Sequence, residues 1–224
     1  MSPLLRISIL VVLTSAYADN LLAGVIATSL PPDNSYCLGC GNAGIGGPSD
    51  QSFAVRFSVA TTANLGGIDV GVSRISGGNT LLLYLLSDIG GSPGSALESF
   101  IATGQMQDIG PATSIVSVSS ILQPALTAGN SYWLAASVPL NDFASWYSSS
   151  LNISGTQAFR FGAGAWSVGP TNDVVAFRIS SVPEPASTTL VVAGSALLIL
   201  RRRTRVSTMR TRILPPRDAD KPHR

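Results

Sequence analysis

The sequence predicts an all-β domain of the β-sandwich or jelly-roll type, with an apolar targeting segment at each end of the chain. Three observations lead to this class. Apolar and polar residues alternate over several short stretches, as they do in half-buried strands. Turn-forming residues recur roughly every 8–14 positions, a spacing typical of sandwiches. Only 12% of the 224 residues are charged, far fewer than the surfaces of a helical cytosolic protein usually carry.

Two stretches carry the strand prediction most directly. Residues 53–59 place two phenylalanines and two valines on one face of a strand. Residues 80–86 form a nearly continuous apolar run, which suits a strand covered on both faces or a short buried helix, and the glycine-rich turns on either side favour the strand. Further strands are predicted at residues 65–75, 99–104, 114–122, 132–138, 143–148, 157–161 and 174–180. Helix content is expected to be low, with residues 95–105 as the main exception.

The N-terminus has the features of a secretory signal peptide. A basic residue is followed by an apolar stretch, and Ala16-Tyr17-Ala18 matches the small-x-small pattern that signal peptidase reads. We therefore predict a signal peptide over residues 1–18, cleaved after Ala18. A second apolar patch at residues 21–30 leaves open an uncleaved anchor or a later cut, but two polar residues separate the patches and favour cleavage.

The C-terminal region predicts a single transmembrane helix over residues 186–200. This stretch has no charge, and a helix of its length spans about 22 Å against a hydrocarbon core of about 30 Å. Arg201, Arg202 and Arg203 follow it, and their long side chains can reach the headgroups while the bilayer thins locally. Because basic flanks stay in the cytoplasm, the preceding domain is expected outside and residues 204–224 form a basic, disordered cytoplasmic tail. A buried core helix is the alternative.

The same region resembles the PEP-CTERM sorting signal. Val182-Pro183-Glu184-Pro185, the short apolar span and the three arginines occur in that family's order over residues 182–203. The resemblance implies processing at or near the Pro-Glu-Pro by an exosortase, a membrane transpeptidase-like enzyme of Gram-negative bacteria that make an exopolysaccharide matrix. Prolines keep such a segment extended for a processing enzyme. The chain departs from the pattern by continuing well beyond the arginines, and a GPI signal, which ends with its apolar segment, fits less well.

Residues 19–181 are predicted to form one surface domain. Its most distinctive stretches are Gln51-Ser52-Phe53, residues 83–88 leading to Ser92-Pro93-Gly94-Ser95, residues 126–134 with Tyr132-Trp133, and then Trp146 and Trp166. Over about residues 50–180 they resemble the choice-of-anchor domains of bacterial surface proteins, the R-type variety in particular. That resemblance implies a sandwich fold and no established enzymatic activity.

The residue types in this domain exclude the common catalytic sites. The single histidine of the chain is His223, in the tail, so the domain has no Ser-His-Asp triad, Cys-His pair or His-ligated metal. A glycosidase with two carboxylates stays open. Its candidates would be Asp69, Asp88, Glu98, Asp108, Asp142 and Asp173, which we interpret as solvated loop carboxylates. We therefore predict that the protein is not an enzyme and needs no cofactor or metal.

Two smaller features of the domain carry site predictions. Cys37 and Cys40 are the chain's two cysteines, and export to an oxidising compartment favours a disulfide between them that pins a glycine-rich loop at residues 39–47. A pair of free thiols is the alternative. Large aromatic residues usually belong to the core, but Trp146 and Tyr147 precede three serines and form the best candidate for an exposed glycan platform.

Charge is distributed unevenly along the chain. Residues 19–182 hold four arginines and nine acidic residues, a net charge of −5, whereas residues 201–224 carry +7. An acidic domain argues against nucleic acid as a partner. We expect an exported, non-enzymatic protein of the cell envelope or extracellular matrix that begins as an inner-membrane precursor. Its expected partners are the membrane, an exosortase-like enzyme and exopolysaccharide. A lectin-like module and, further behind, a glycosidase are the alternatives.

Overall fold

A computed structural model describes residues 24–110 and 114–183 of the chain, apart from the side chains of residues 39–42. This part forms one compact unit, built from strands alone. The fourteen strands are β1 Val25–Thr28, β2 Tyr36–Gly46, β3 Gln51–Ser58, β4 Ala63–Ser76, β5 Thr80–Ile89, β6 Ser92–Thr103, β7 Gln107–Asp108, β8 Ile115–Ser119, β9 Ala125–Leu126, β10 Ser131–Ser137, β11 Phe143–Ser149, β12 Ser154–Phe161, β13 Ser167–Asp173 and β14 Phe177–Ser181.

The predicted all-β class is confirmed, and so is a strand at each predicted stretch. The prediction of a helix at residues 95–105 is wrong, because β6 pairs with β5 from one end to the other and buries alternate side chains. The predicted glycine-rich loop at residues 39–47 is also wrong, since most of it belongs to β2. Strands β1, β2 and β13 had no clear apolar alternation and were not predicted.

Two groups of strands are connected by hydrogen bonds into one large sheet. The first group runs in the order β13-β12-β3-β10-β5-β6, and every pair in it is antiparallel. The second group is arranged around β4, the longest strand, which pairs with β14 and β8 along its first part and with β11 and β7 along its second. Strand β2 pairs with β11 and meets β3 only at Gly46 and Gln51.

The main core takes its side chains from both groups. Val55 and Leu134 come from the first group, whereas Val70, Val116 and Ile179 come from the second, and all five are fully buried. Burial of an aliphatic or aromatic side chain contributes about 1.5–3 kcal/mol. The predicted apolar face of residues 53–59 is confirmed as part of this core.

A smaller apolar cluster covers the opposite face of the first group. It contains Leu86, Trp133 and three alanines, and Trp166 packs against it. The Arg160 guanidinium lies 4.7 Å from the centre of the Trp166 ring, a cation–π contact. The run at residues 80–86 therefore has apolar contacts on both faces, as its composition predicted.

Candidate functional site

The end of β14 is the part of the domain that leads into the predicted sorting signal. Ser181 closes β14, and Val182 and Pro183 are the last residues that the structure describes. The Ser181 amide donates to the Gly24 carbonyl at 2.7 Å, and the Gly24 amide donates to the Ser181 hydroxyl at 2.9 Å. The Val182 amide donates to the Asn64 carbonyl at 3.0 Å. The chain is thus held up to the residue before the first proline.

Gly66 allows residues 181 and 182 to pass close to the backbone of β4. A Cβ on Gly66 would lie 2.7 Å from the Val182 nitrogen and closer still to the Ser181 carbonyl, distances that side-chain carbons do not adopt. Glycine inside a strand often marks such a close approach of another backbone segment. The C-terminal segment therefore crosses directly over β4 at Gly66 and is fixed there by main-chain contacts.

A shallow groove of about 290 Å³ begins where the chain leaves the domain. Gly67, Ser117, Ser119 and Ser180 line it, and Pro183 forms one end. Direct strand pairing relates these residues, since Gly67 lies opposite both Ser180 and Ser119. Their small side chains leave this face of the sheet open beside residues 181–183.

A polar cluster borders the groove. The Ser117 hydroxyl donates to Asp69 at 2.6 Å, and Arg178 lies 3.5 Å from the other carboxylate oxygen. Arg178 also donates to the Pro31 carbonyl at 3.0 Å and to the Asn34 side chain at 2.6 Å. Arg178 therefore ties the loop after β1 to the second strand group through its hydrogen bonds to Pro31 and Asn34.

The predicted targeting residues lie mostly outside the described residues. Val182 and Pro183 are placed as above, whereas Glu184, Pro185 and Arg201–Arg203 lie beyond them. Ala16 and Ala18 of the predicted cleavage site, the predicted transmembrane helix at 186–200 and the tail at 204–224 are likewise outside. Within residues 24–110 and 114–183, no helix has the length and apolarity needed to cross a bilayer.

Cys37 lies in β2 beside an interruption of the strand pairing. Tyr147 of β11 pairs with Asn42, and the next residue, Ser148, pairs with Cys37, so residues 38–41 bulge out of the ladder. Cys37 is disulfide-bonded. Its predicted partner, Cys40, is one of the four residues whose side chains are not described, so the pairing stays a prediction.

The predicted glycan platform is wrong, because Trp146 and Tyr147 are only 0% and 2% exposed. The Trp146 indole packs in the main core and donates its N–H to the Ala176 carbonyl at 2.9 Å. Tyr147 points to the other face of β11 and stacks on Tyr36 with ring centres 5.0 Å apart. Neighbouring residues of a strand point to opposite faces of the sheet, so this pair could not form one platform. The main core covers the Trp146 ring, and Tyr36 covers the Tyr147 ring.

Tyr36 also fixes the chain near β8. Its hydroxyl donates to the Ser114 carbonyl at 3.1 Å and accepts the Ser114 amide hydrogen. Burial of the ring raises the pKa of the Tyr36 hydroxyl above its usual value. By contrast, the exposed Asp33 carboxylate accepts the Ser35 amide at 3.1 Å, and that hydrogen bond lowers the pKa of Asp33.

Five of the six acidic residues considered for a glycosidase have structural partners, and the exception is the exposed Asp173. Asp88 pairs with Arg56, Asp108 pairs with Arg74, and Asp142 accepts the Gly78 amide. Their interpretation as solvated loop carboxylates is wrong for Glu98, which lies on β6 and is only 5% exposed. It is also wrong for Asp88, which lies on β5 with a side chain that is 10% exposed. In the described part of the chain, no three His, Cys, Asp or Glu side chains come together as metal ligands would.

Glu98 holds a turn in place. It accepts hydrogen bonds from the Ser120 hydroxyl at 2.5 Å, the Ile121 amide at 2.7 Å and the Leu122 amide at 3.1 Å. The sequence analysis did not predict that Glu98 holds this turn. It also did not predict the contacts of Gly24, Asn64 and Gly66 with residues 181 and 182. The sequence does contain a signal for the contact at Gly66, because two glycines inside an apolar strand pattern often mark the close approach of another backbone segment.

No protein-family model matches this chain, and no curated protein matches it either.

Proposed function

We propose that this chain is an exported, non-enzymatic protein of the cell envelope or extracellular matrix, sorted by an exosortase-like system. One observation carries the proposal. Ser181 and Val182 are held by main-chain hydrogen bonds to Gly24 and Asn64, and the next residue, Pro183, opens the Pro-Glu-Pro of the sequence motif. A domain that fixes its last strand up to this point supports a role in presenting the motif to a processing enzyme.

The position of the first strand supports the same proposal. β1 pairs with β14, so the residues that follow the predicted signal peptide lie beside those that precede the predicted sorting signal. Both targeting segments would then connect to the domain at one place. In the precursor, the domain would lie outside the inner membrane, with residues 201–224 in the cytoplasm, as the basic flank of the predicted span favours.

We infer that the two strand groups form the layers of a β-sandwich. Support comes from the main core, which takes side chains from both groups, and from the strand orders on either side of it. This is the architecture that the resemblance to choice-of-anchor domains implies.

The contacts of the acidic residues favour a non-enzymatic role. A two-carboxylate mechanism needs a pair of carboxyl groups free to face one substrate. Asp69, Asp88 and Asp108 each face an arginine, and Glu98 is occupied by three donors. The lectin-like alternative loses the Trp146 and Tyr147 platform on which it rested.

Mass spectrometry of the mature C-terminus tests the sorting proposal. The protein is purified from its native organism and from a strain that lacks the exosortase-like gene. We expect a C-terminus at or near residues 183–186 in the first sample and an intact chain in the second. A chain that retains residues 186–224 in the native organism would indicate a plain single-pass anchor and overturn the sorting step.

A further inference from the structure

Strand β6 is an edge strand among the described residues, and residues 99–103 in its second half carry no proline, bulge or charge. It pairs with β5 on one side, and no other described strand pairs with it. Residues 98–103 lie in regular register with residues 80–85 of β5, while the first half of β6 contains Pro93 and two register shifts. Prolines and bulges are devices that keep an edge from accepting another strand. Among the described residues, the regular part of this edge is therefore residues 99–103.

The other edges of the described strands carry such devices. β1 has four residues and a bulge, β13 contains Pro170, and the bulge of residues 38–41 interrupts β2. On β8, the Ser117 amide is bonded to the Gln105 side chain. The second half of β6 thus differs from every one of these edges.

Residues 99–103 carry no charge, and the inward-turned Glu98, which is a protective device, lies just before them. Glu98 is the single charged residue of β6, and its carboxylate is turned inward to the Ser120 turn. Ser99, Ile101 and Thr103 face outward, and Ile101 is 72% exposed. On the inner side, Phe100 and Ala102 are already buried in the main core. The outward face is neutral, and a second neutral strand would meet no like charge on it.

We propose that residues 99–103 pair antiparallel with the same segment of a second copy of this chain. Only pairs that keep outward residues opposite outward residues are allowed, because a one-residue slip exchanges the faces. With Ile101 opposite its own copy, Ser99 lies opposite Thr103 and Phe100 lies opposite Ala102. The two buried residues of the segment, Phe100 and Ala102, then lie opposite each other. Each Glu98 lies beside Gly104, just past the paired segment and away from the other Glu98. The first sheet group would continue through a two-fold axis into the partner.

A second copy fits this edge better than an unrelated strand. A two-fold contact must be self-complementary, and this register pairs isoleucine with isoleucine and hydroxyl with hydroxyl. The proposal does not depend on the sorting proposal, because it concerns only the edge of the domain.

Cross-linking tests the register. Residues directly opposite in an antiparallel pair have Cα atoms about 4.5–5.5 Å apart, within the range that a disulfide spans. We expect the full chain carrying Ile101→Cys, purified in mild detergent, to form a covalent dimer on mild oxidation. The matched control is Leu140→Cys, which is 65% exposed but lies in the turn between β10 and β11. Equal cross-linking of the two variants would overturn the register.

Light scattering tests the dimer itself. We expect the full chain in detergent to show a protein mass twice that of one chain, and Ile101→Lys to reduce it to that of one chain, because two ammonium groups would then lie opposite each other. Leu140→Lys, in the turn between β10 and β11, should leave the doubled mass unchanged. A wild-type chain with the mass of one copy, or an Ile101→Lys variant that keeps the doubled mass, would overturn the proposal.

Discussion

Gly24 and Ser181 exchange two hydrogen bonds across 157 positions of the chain, through the Ser181 amide, the Gly24 amide and the Ser181 hydroxyl. The start and the end of the domain are therefore joined directly. In a chain with a predicted targeting segment beyond each end, this contact fixes where both segments leave the domain. This contact requires residues 181 and 182 to lie close against Gly66, where no side chain would fit.

We expect Gly66→Ala to lower the free energy of unfolding by about 1–3 kcal/mol, since the added methyl group would overlap the Ser181 carbonyl and the Val182 nitrogen. Urea denaturation would measure the change. Gly169→Ala is the matched control, because a Cβ at that strand position would meet only an ordinary contact of 3.7 Å. Equal effects of the two substitutions would contradict the close passage.

The Glu98 turn gives a second prediction. Glu98→Ala would leave the Ile121 and Leu122 amides without their acceptor, and hydrogen bonds to a charged group contribute about 1.5–3 kcal/mol each. We expect a loss of at least about 2 kcal/mol in denaturant unfolding. Glu98→Gln, which keeps one acceptor oxygen, should lose less. Asp173→Ala changes an exposed carboxylate and should lie within about 0.5 kcal/mol of wild type.

Stability at high pH should depend on Tyr36. Its pKa in the folded protein is raised above 10.0, so above that pH the unfolded chain loses the proton first and unfolding becomes easier. The contribution of Tyr36 to the free energy of unfolding should therefore be constant below pH 10 and fall between pH 10 and the folded pKa, by at most about 1.4 kcal/mol per pH unit. Tyr36→Phe removes this contribution.

The measurement for Tyr36 is the difference between wild type and Tyr36→Phe in urea unfolding at several pH values. At neutral pH, the variant should be about 1–3 kcal/mol less stable, because the Ser114 amide loses its acceptor. This difference should shrink as the pH rises above 10. A difference that stays constant with pH would contradict a buried, neutral Tyr36 hydroxyl.

Replacing Trp146 distinguishes a buried core residue from an exposed platform residue by its cost in stability. Trp146→Ala should cost about 3–5 kcal/mol, as expected for a large aromatic residue removed from a core. An exposed platform residue would cost almost nothing on removal. Ile121→Ala, which removes an exposed side chain, is the control and should change the melting temperature little.

The predicted Cys37–Cys40 disulfide should stabilise the folded protein only modestly, because it closes a short ring within the bulge of β2. In the chain-entropy description, a ring of about four residues stabilises the folded state by about 2 kcal/mol, less than a long-range bridge. We expect alkylation of the denatured protein to add no group before reduction and two groups after it. Two added groups without reductant would show free thiols. Cys37→Ser should lower stability by a similar amount under oxidising conditions only.

Local pattern was enough to predict much of this protein. Period-two alternation in residues 53–59 and the apolar run at 80–86 predicted β3 and β5 because both strands bury whole faces in a core. The absence of histidine before His223 limited the possible chemistry without any structure. The predicted targeting segments likewise follow from composition and order, since membrane thickness and charge act on consecutive residues.

Other features depend on which strands become neighbours, and no local pattern contains that information. Trp146 and Tyr147 looked exposed beside three serines, yet Trp146 packs in the main core and Tyr147 stacks on Tyr36. Glu98 looked like a solvated carboxylate, but the Ser120 turn comes to it from a distant part of the chain.

The sequence by itself determined the residue chemistry of Val182-Pro183-Glu184-Pro185, because prolines restrict the backbone wherever they occur. Only the tertiary structure decided that this segment starts beside Gly24 and over Gly66, since those contacts join residues more than a hundred positions apart. The same reason applies to the edge of β6. Its sequence shows an amphipathic strand, but pairing with β5 on one side alone leaves Ile101 open to a second copy.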